Sequence, residues 1–387
     1  KSVYQLKLSL IENCLYGVDI QPIAVQICKL RFFISLICEQ EKNNSIAANY
    51  GFDPLPNLET KFIAANTLIG KKQSEQSALF EDPEINKIKQ ELKEVRHAHF
   101  NAATAKAKAE CRERDKKLRN SLADLLAKDR IYKQEEANQL AAWNPYDQNA
   151  VSSFFDSEWM FDIKDGFDIV IGNPPYISTK GVSAKGKQEY EAEFGFSDDT
   201  YNLFTFKGLQ LAKKKGTLTY IIPKTFWTTQ TKRKMRDLIL SKNISYIFDT
   251  ANPFYDVMVD TCIIQIENIE FNGSNKIKFL DGNDDLTKPV CYEVAQNVFL
   301  ETQNSVIFKP TDYNMKIHNL YGKKIKKLYD QWWDRIETSK KISENAAELK
   351  KYRESLKPGD IALLGCLTEG GRGLATANNG KYIAVRK

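Results

Sequence analysis

The residues that most constrain this chain run from Phe167 to Tyr176: Phe-Asp-Ile-Val-Ile-Gly-Asn-Pro-Pro-Tyr. Ile169, Val170 and Ile171 are consecutive and β-branched, which predicts a strand buried on both faces of a parallel sheet rather than an alternating surface strand. Asn173-Pro174-Pro175 must end it, because two prolines remove two backbone donors and fix two φ angles. The carbonyls and the Asn173 side chain are then held in a defined direction at the strand's C-terminal edge, where open α/β sheets bind ligands. An exocyclic amine conjugated to a heterocycle suits acceptors on a stiff loop. Its lone pair is delocalised into the ring, so it is a poor nucleophile. The Asn173 side-chain oxygen and the Pro174 carbonyl, aimed at its two N–H groups, would stabilise the positive charge that develops as the nitrogen attacks an electrophile. Tyr176 can stack on the base. A lone Asn-Pro is an ordinary turn, and Asn144-Pro145-Tyr146, with no apolar strand before it, is read that way.

The stretch Phe167 to Tyr176 resembles the catalytic motif of DNA adenine-N6 methyltransferases. The order of the other segments resembles the gamma class found in type II and type IIG restriction-modification enzymes, over roughly residues 10 to 300 with gaps. The resemblance implies a Rossmann-like α/β methyltransferase fold with a mainly parallel, seven-stranded sheet. It also implies S-adenosylmethionine as methyl donor and N6 of an adenine rotated out of double-stranded DNA as acceptor. Asn173, Pro174, Pro175 and Tyr176 carry over as the catalytic loop.

Cys14 to Asp19 reads as a short strand with an acidic tip, and Ile23, Ile27, Leu30, Ile34 and Ile37 then recur at helical spacing behind Pro22. An acid in that post either accepts ribose hydroxyls or caps the following helix. The resemblance places Asp19 and Ile20 in the ribose-binding motif of the donor site. Lys61 to Leu68 is a third strand with a polar tip, and Asn66 is similar to the residue that receives the donor's adenine amino group; turn initiation is the other reading. The residues before Cys14 hold no glycine, so the donor's Gly-rich turn is expected to lie outside this sequence. Residues 71–142 are rich in Lys, Glu, Ala and Gln and predict a long helical hairpin inserted between the third and fourth strands, its mixed charge a solvated face.

After Tyr176, residues 178–200 read as a mobile loop, 201–213 as a helix stopped by Gly216, and 217–222 as a strand. Residues 231–236 begin a basic helix, read either as a phosphate contact or as solvated surface. Two further strands, 244–249 and 260–266, flank Asn252-Pro253-Phe254-Tyr255. The resemblance implies an aromatic there that sandwiches the extruded base against Tyr176; Phe254 is the choice, with Tyr255 and plain core packing as alternatives. The catalytic domain is expected over residues 1–300 and a helical linker over 301–356. From 357 the chain is expected to open a target-recognition domain, carried by Gly365 to Leu374 and Asn378 to Lys381.

Composition narrows the field less. Lys and Arg number 56 against 50 Asp and Glu, and the resulting net charge of +6 is compatible with a polyanionic partner without requiring one. There is no run of about 18 apolar residues, so no membrane span is expected. Seven cysteines with no Cys-x-x-Cys pair predict reduced thiols and a cytoplasmic setting. His97, His99 and His318 form no ligand pattern and are read as surface residues, and no metal is expected. Asp53 with Glu59-Thr60-Lys61 superficially fits a restriction-nuclease metal site, but the spacing is too short for the usual hairpin. A nuclease domain elsewhere in a parent chain stays open. So do a non-catalytic DNA-binding role and methylation of RNA or of a protein glutamine.

Overall fold

Local chemistry writes the first helix before any packing is considered. Ser2 Oγ accepts from Gln5 N and the Gln5 side chain accepts from Ser2 N, a reciprocal cap that starts α1 (Val3–Asn13). The computed structural model describes residues 2–46, 49–71, 83–254, 259–338, 346–358 and 360–362. They divide into two compact units, Lys1–Leu218 and Thr219–Lys387.

In the first unit, β1 (Gly17–Asp19) is followed by α2 (Pro22–Ile37) and β2 (Phe62–Ala64), which pairs parallel to β1. Parallel pairing needs a crossover, and α2 supplies it. Helices α3 (Pro83–Phe100), α4 (Ala105–Lys128) and α5 (Gln134–Ala142) form the insertion; α6 (Ser157–Phe161) leads back to β3 (Phe167–Gly172). The insertion is not a solvated outrigger. Ile85, Leu92, Leu122 and Leu140 share one core with Ile63 of β2 and with Phe154 and Trp159.

Its charges are inside as well. Asp115 is fully buried, its carboxylate 2.6 Å from Arg119 Nε and 3.1 Å from Arg96 Nε. Arg119 also donates to the carbonyls of Ala141 and Trp143. Two guanidiniums and backbone acceptors replace the water each ion gives up, so these charges face each other across the hairpin. His99 is likewise buried, accepting from Arg112 Nε at 3.3 Å, and His318 keeps only 9% of its side chain exposed; of the three histidines only His97 stands in solvent.

Residues 178–200 are not a featureless loop. They hold α7 (Ala184–Phe194), started by Ser183 Oγ accepting from Gly186 N and ended by Gly195 at φ 76. Helix α8 (Thr200–Leu211) ends at Leu211, and Gly216 lies inside the next strand, β4 (Ala212–Pro223). A Cβ at Gly216 would sit 2.7 Å from the Phe167 carbonyl oxygen. The glycine therefore permits close approach of β4 to β3 rather than stopping a helix.

Two apolar runs are exposed among the described residues, the first of them against the burial predicted for it. Ile169 is 67% and Ile171 78% exposed, because no described element covers their face of β3. On α2 the described contacts bury Val25 and Leu36, while Ile23, Ile27, Leu30, Ile34 and Ile37 are exposed.

In the second unit the remainder of β4 opens the order β4-β6-β5-β7-β8, with β5 (Lys242–Ala251), β6 (Thr261–Glu270), β7 (Lys276–Asp281) and β8 (Val290–Ala295). β5 pairs parallel to β7; β5 with β6 and β7 with β8 are antiparallel. Along β7, Ile277 and Phe279 are buried between exposed Lys276 and Lys278, the alternation of a strand covered on one face. Helix α9 (Arg233–Leu240) is the basic helix, yet Arg236 is fully buried and donates to the carbonyls of Phe226, Thr229 and Asn304 at 2.7 to 2.9 Å, so it tethers backbone instead of meeting phosphate. A short α10 (Asn297–Leu300) precedes α11 (Asp312–Thr338) and α12 (Ala346–Ser355). The class is the α/β one expected of a Rossmann-like chain. Eight strands are found among the described residues where six were foreseen within this sequence, the β7–β8 hairpin adding two past the last of them. The expected opening of the recognition region, Gly365 to Lys381, lies outside the described residues.

Candidate active site

β3 delivers its C-terminal residues to solvent as the prolines require. Asn173 is exposed, Pro174 buried and Tyr176 half-buried. The Tyr176 hydroxyl donates to Asn173 Oδ1 at 3.2 Å. That oxygen keeps a second lone pair, and among the described residues no donor reaches the Pro174 carbonyl. Two acceptors on neighbouring residues therefore remain open beside an aromatic ring. The ring itself is held edge-on to Tyr201 of α8, centroids 6.5 Å apart at 84°.

Behind the loop stands the start of α8. Thr200 Oγ1 donates to the Pro175 carbonyl and accepts from Ile177 N at 3.1 Å, while Thr200 N donates to the Ile177 carbonyl at 3.0 Å. Asp199 Oδ1 accepts from Thr179 N and Thr179 Oγ1, at 2.8 and 2.9 Å. These ties were not foreseen. Asp198-Asp199-Thr200 falls in the stretch read as a mobile loop, and sequence gives no sign that its side chains turn toward the catalytic-loop candidate.

The other pair of expected ligand residues is brought together. Asp19 and Asn66 end β1 and β2, and Ala65 N donates to the Asp19 carbonyl at 2.9 Å, so the two tips are adjacent. Asp19 Oδ1 accepts from Gln21 N at 2.8 Å, leaving Oδ2 facing solvent. Asn66 Oδ1 accepts from Leu68 N at 3.2 Å within its own turn. Asn66 thus makes the turn read as its alternative, whereas Asp19 holds a turn before α2 and does not cap that helix, which has no side-chain cap; each residue keeps polar capacity beyond its bond. Ile20 is exposed beside Asp19. An exposed carboxylate oxygen next to an amide at parallel strand ends fits a polyhydroxylated ligand such as a ribose. Asn144-Pro145-Tyr146 forms a turn, Asn144 Oδ1 accepting from Tyr146 N at 3.2 Å. Glu59 of the nuclease-like pattern is spent on Arg112 at 3.4 Å. A cavity of about 130 Å³ bounded by Lys89, Arg96, Tyr132 and Trp159 belongs to the insertion and touches none of Asp19, Asn66, Asn173 or Tyr176.

In the second unit, Phe254 follows β5, its N–H donating to Asn252 Oδ1 at 3.3 Å; Tyr255 is outside the described residues. The ends of that connection are tied by a charge cluster the sequence did not announce. Lys224 Nζ lies 3.1 Å from both Asp249 and Asp260, and Lys309 Nζ lies 3.3 Å from Asp249 and 2.7 Å from Asp281. Burial pushes the Asp249 carboxyl upward. The Ala251 N–H, the Lys224 ammonium and the Lys309 charge outweigh it, holding the group below the usual carboxylate range.

Residues 13–255 match the Eco57I restriction-modification methylase family. A candidate type II restriction enzyme and methyltransferase of Methanocaldococcus jannaschii is 27% identical over 359 residues, covering 77% of this chain and 29% of the relative. The type II restriction enzyme and methyltransferase Eco57I of Escherichia coli is 30% identical over 110 residues, covering 25% of this chain and 11% of its own. The chain thus spans less than a third of the length of either relative. Among solved structures, the methyltransferase subunit of a type I restriction-modification system from Streptococcus thermophilus aligns at TM-score 0.27 and 19% identity, covering 49% of this chain and 39% of that one.

Proposed function

Because the chain belongs to the Eco57I restriction-modification methylase family, we propose that it methylates N6 of an adenine rotated out of double-stranded DNA, with S-adenosylmethionine as donor. One observation carries this reading: two acceptors, Asn173 Oδ1 and the Pro174 carbonyl, stand beside the Tyr176 ring on a proline-stiffened loop at a strand end. An adenine amine offers two N–H donors in one plane with its ring, and that is what such a loop can grip.

Each residue then has a definite task. Asn173 and Pro174 accept the two N–H groups and so favour the positive charge that grows on the nitrogen as it attacks. Pro175 keeps the carbonyl direction fixed. Tyr176 stacks on the base, offsetting part of the few kcal/mol needed to extrude it from the duplex. Asp19 and Asn66, with Ile20 beside them, are proposed to hold the donor's nucleoside, and the donor when bound supplies an electrophilic methyl group. Transfer is a direct displacement with the amine as nucleophile, so alignment and electrostatics supply the rate. The role given to Phe254 rests on the resemblance alone.

The test is Asn173→Ala in the intact protein. Transfer of labelled methyl to DNA, read as N6-methyladenine after digestion to nucleosides, should fall by about a hundredfold or more. Donor binding by equilibrium dialysis should persist. Undiminished transfer would refute the assignment. Methylation of RNA or of a glutamine peptide in preference to DNA would move the substrate.

A further inference from the structure

We infer that Thr200 is a positioning residue for Tyr176, because one buried hydroxyl grips the backbone on both sides of that ring. A hydroxyl has one proton to give and lone pairs to receive with. At Thr200 the proton goes to the Pro175 carbonyl, and a lone pair takes the Ile177 N–H at 3.1 Å. The residues immediately before and after Tyr176 are therefore fastened to a single atom. The Thr200 N–H adds a third tie, to the Ile177 carbonyl at 3.0 Å. With Pro175 fixing its own φ, little freedom is left at the Tyr176 Cα.

The consequence passes to the reacting amine in two steps. Ring direction follows from the backbone, and the Tyr176 hydroxyl in turn is hydrogen-bonded to Asn173 Oδ1 at 3.2 Å. Water cannot stand in for the missing group in a variant, since Thr200 is only 3% exposed. The helix start has been adapted to this work. At the N-cap of α8, the Asp199 side chain does not cap its own helix and accepts from Thr179 instead. A threonine and an aspartate in these positions ordinarily cap the helix they begin. Here both side chains serve the neighbouring loop.

This inference rests on Asn173 to Tyr176 being the catalytic loop, so the experiment keeps the two apart. In the intact protein, Thr200→Val, Thr200→Ser and Asn173→Ala are compared by steady-state methyl transfer to DNA and by hydrogen–deuterium exchange of the peptide bearing the Ile177 amide. Thr200→Val should lower kcat by about tenfold to a hundredfold, with donor binding unchanged, and should deprotect the Ile177 amide. Thr200→Ser, which keeps the hydroxyl, should restore both. If Thr200→Val does not fold, Thr200→Ala is read in the same way. A deprotected Ile177 amide with undiminished kcat, in a protein that Asn173→Ala inactivates, overturns the role of Thr200 and leaves the loop assignment standing. Full activity in Asn173→Ala removes that assignment and the inference with it.

Discussion

Replacing Asp249 by Asn tests how far the second unit depends on its charge cluster. Asp249 is 1% exposed, and its two oxygens meet Lys224 at 3.1 Å, Lys309 at 3.3 Å and Ala251 N at 3.2 Å. Removing one partner of a buried ion pair costs about 3–5 kcal/mol when the other charge is stranded. Neither lysine would be stranded here: Lys224 keeps Asp260, Lys309 keeps Asp281, and both side chains are 23% exposed. The expected loss is therefore nearer 2–3 kcal/mol. Urea unfolding followed by tryptophan fluorescence reads it directly, since Trp227 lies 5.4 Å from Phe279 in the same unit. With a slope of about 2 kcal/mol/M, the midpoint should fall by roughly 1–1.5 M at pH 7. The pH dependence has a fixed sign. The folded carboxyl lies below its unfolded value of about 3.9, so its contribution is complete well above that value and disappears as the pH drops through the folded value. The gap between wild type and Asp249→Asn should hold from pH 7 to 5 and close below about pH 4. A midpoint shift under about 0.3 M at pH 7, or a gap that widens on acidification, would refute the reasoning.

Two further outcomes follow from burial. Arg236→Met removes the donor that satisfies the carbonyls of Phe226, Thr229 and Asn304 and should cost about 3–5 kcal/mol in the same unfolding assay; a cost under about 1 kcal/mol would show that water replaces it. Ile171→Thr, by contrast, should change stability by no more than about 0.5 kcal/mol, because the side chain is already in solvent. A loss several times larger would mean that the exposed face of β3 is covered when the protein is assayed.

The local geometry of the candidate site was readable from residue order where it depends on neighbouring residues. Asn-Pro-Pro dictates where β3 ends and which way its acceptors point, whatever packs behind. Asp19 and Asn66 were placed at strand tips for the same reason. What escaped the sequence was everything set by partners distant along the chain. Ile169 and Ile171 read as buried because β-branched runs usually are, yet burial depends on a neighbouring layer that a strand's own residues do not specify. Asp115, Arg119 and His99 read as surface because charge usually is; their partners lie up to 24 residues away in sequence, as with Arg119 and Trp143, and 19 for Asp115 and Arg96. Thr200 read as the last residue of a mobile loop because its acceptor, Pro175, is 25 residues earlier. Gly216 was taken for a helix stop, since close approach to β3 leaves no mark in the glycine's flanking residues.

The helical insertion bears on how such chains can be trimmed. Its apolar side is continuous with the layer beneath β2, and Asn57 reaches across to the carbonyls of His99 and Ala102 at 2.8 Å. Excising residues 83–142 and closing the gap with a short turn would leave Ile63, Phe154 and Trp159 without a roof and Glu59 without Arg112. A shortened homologue would have to rebuild that ceiling from other residues, so length variation here is a matter of re-roofing and never of simple deletion.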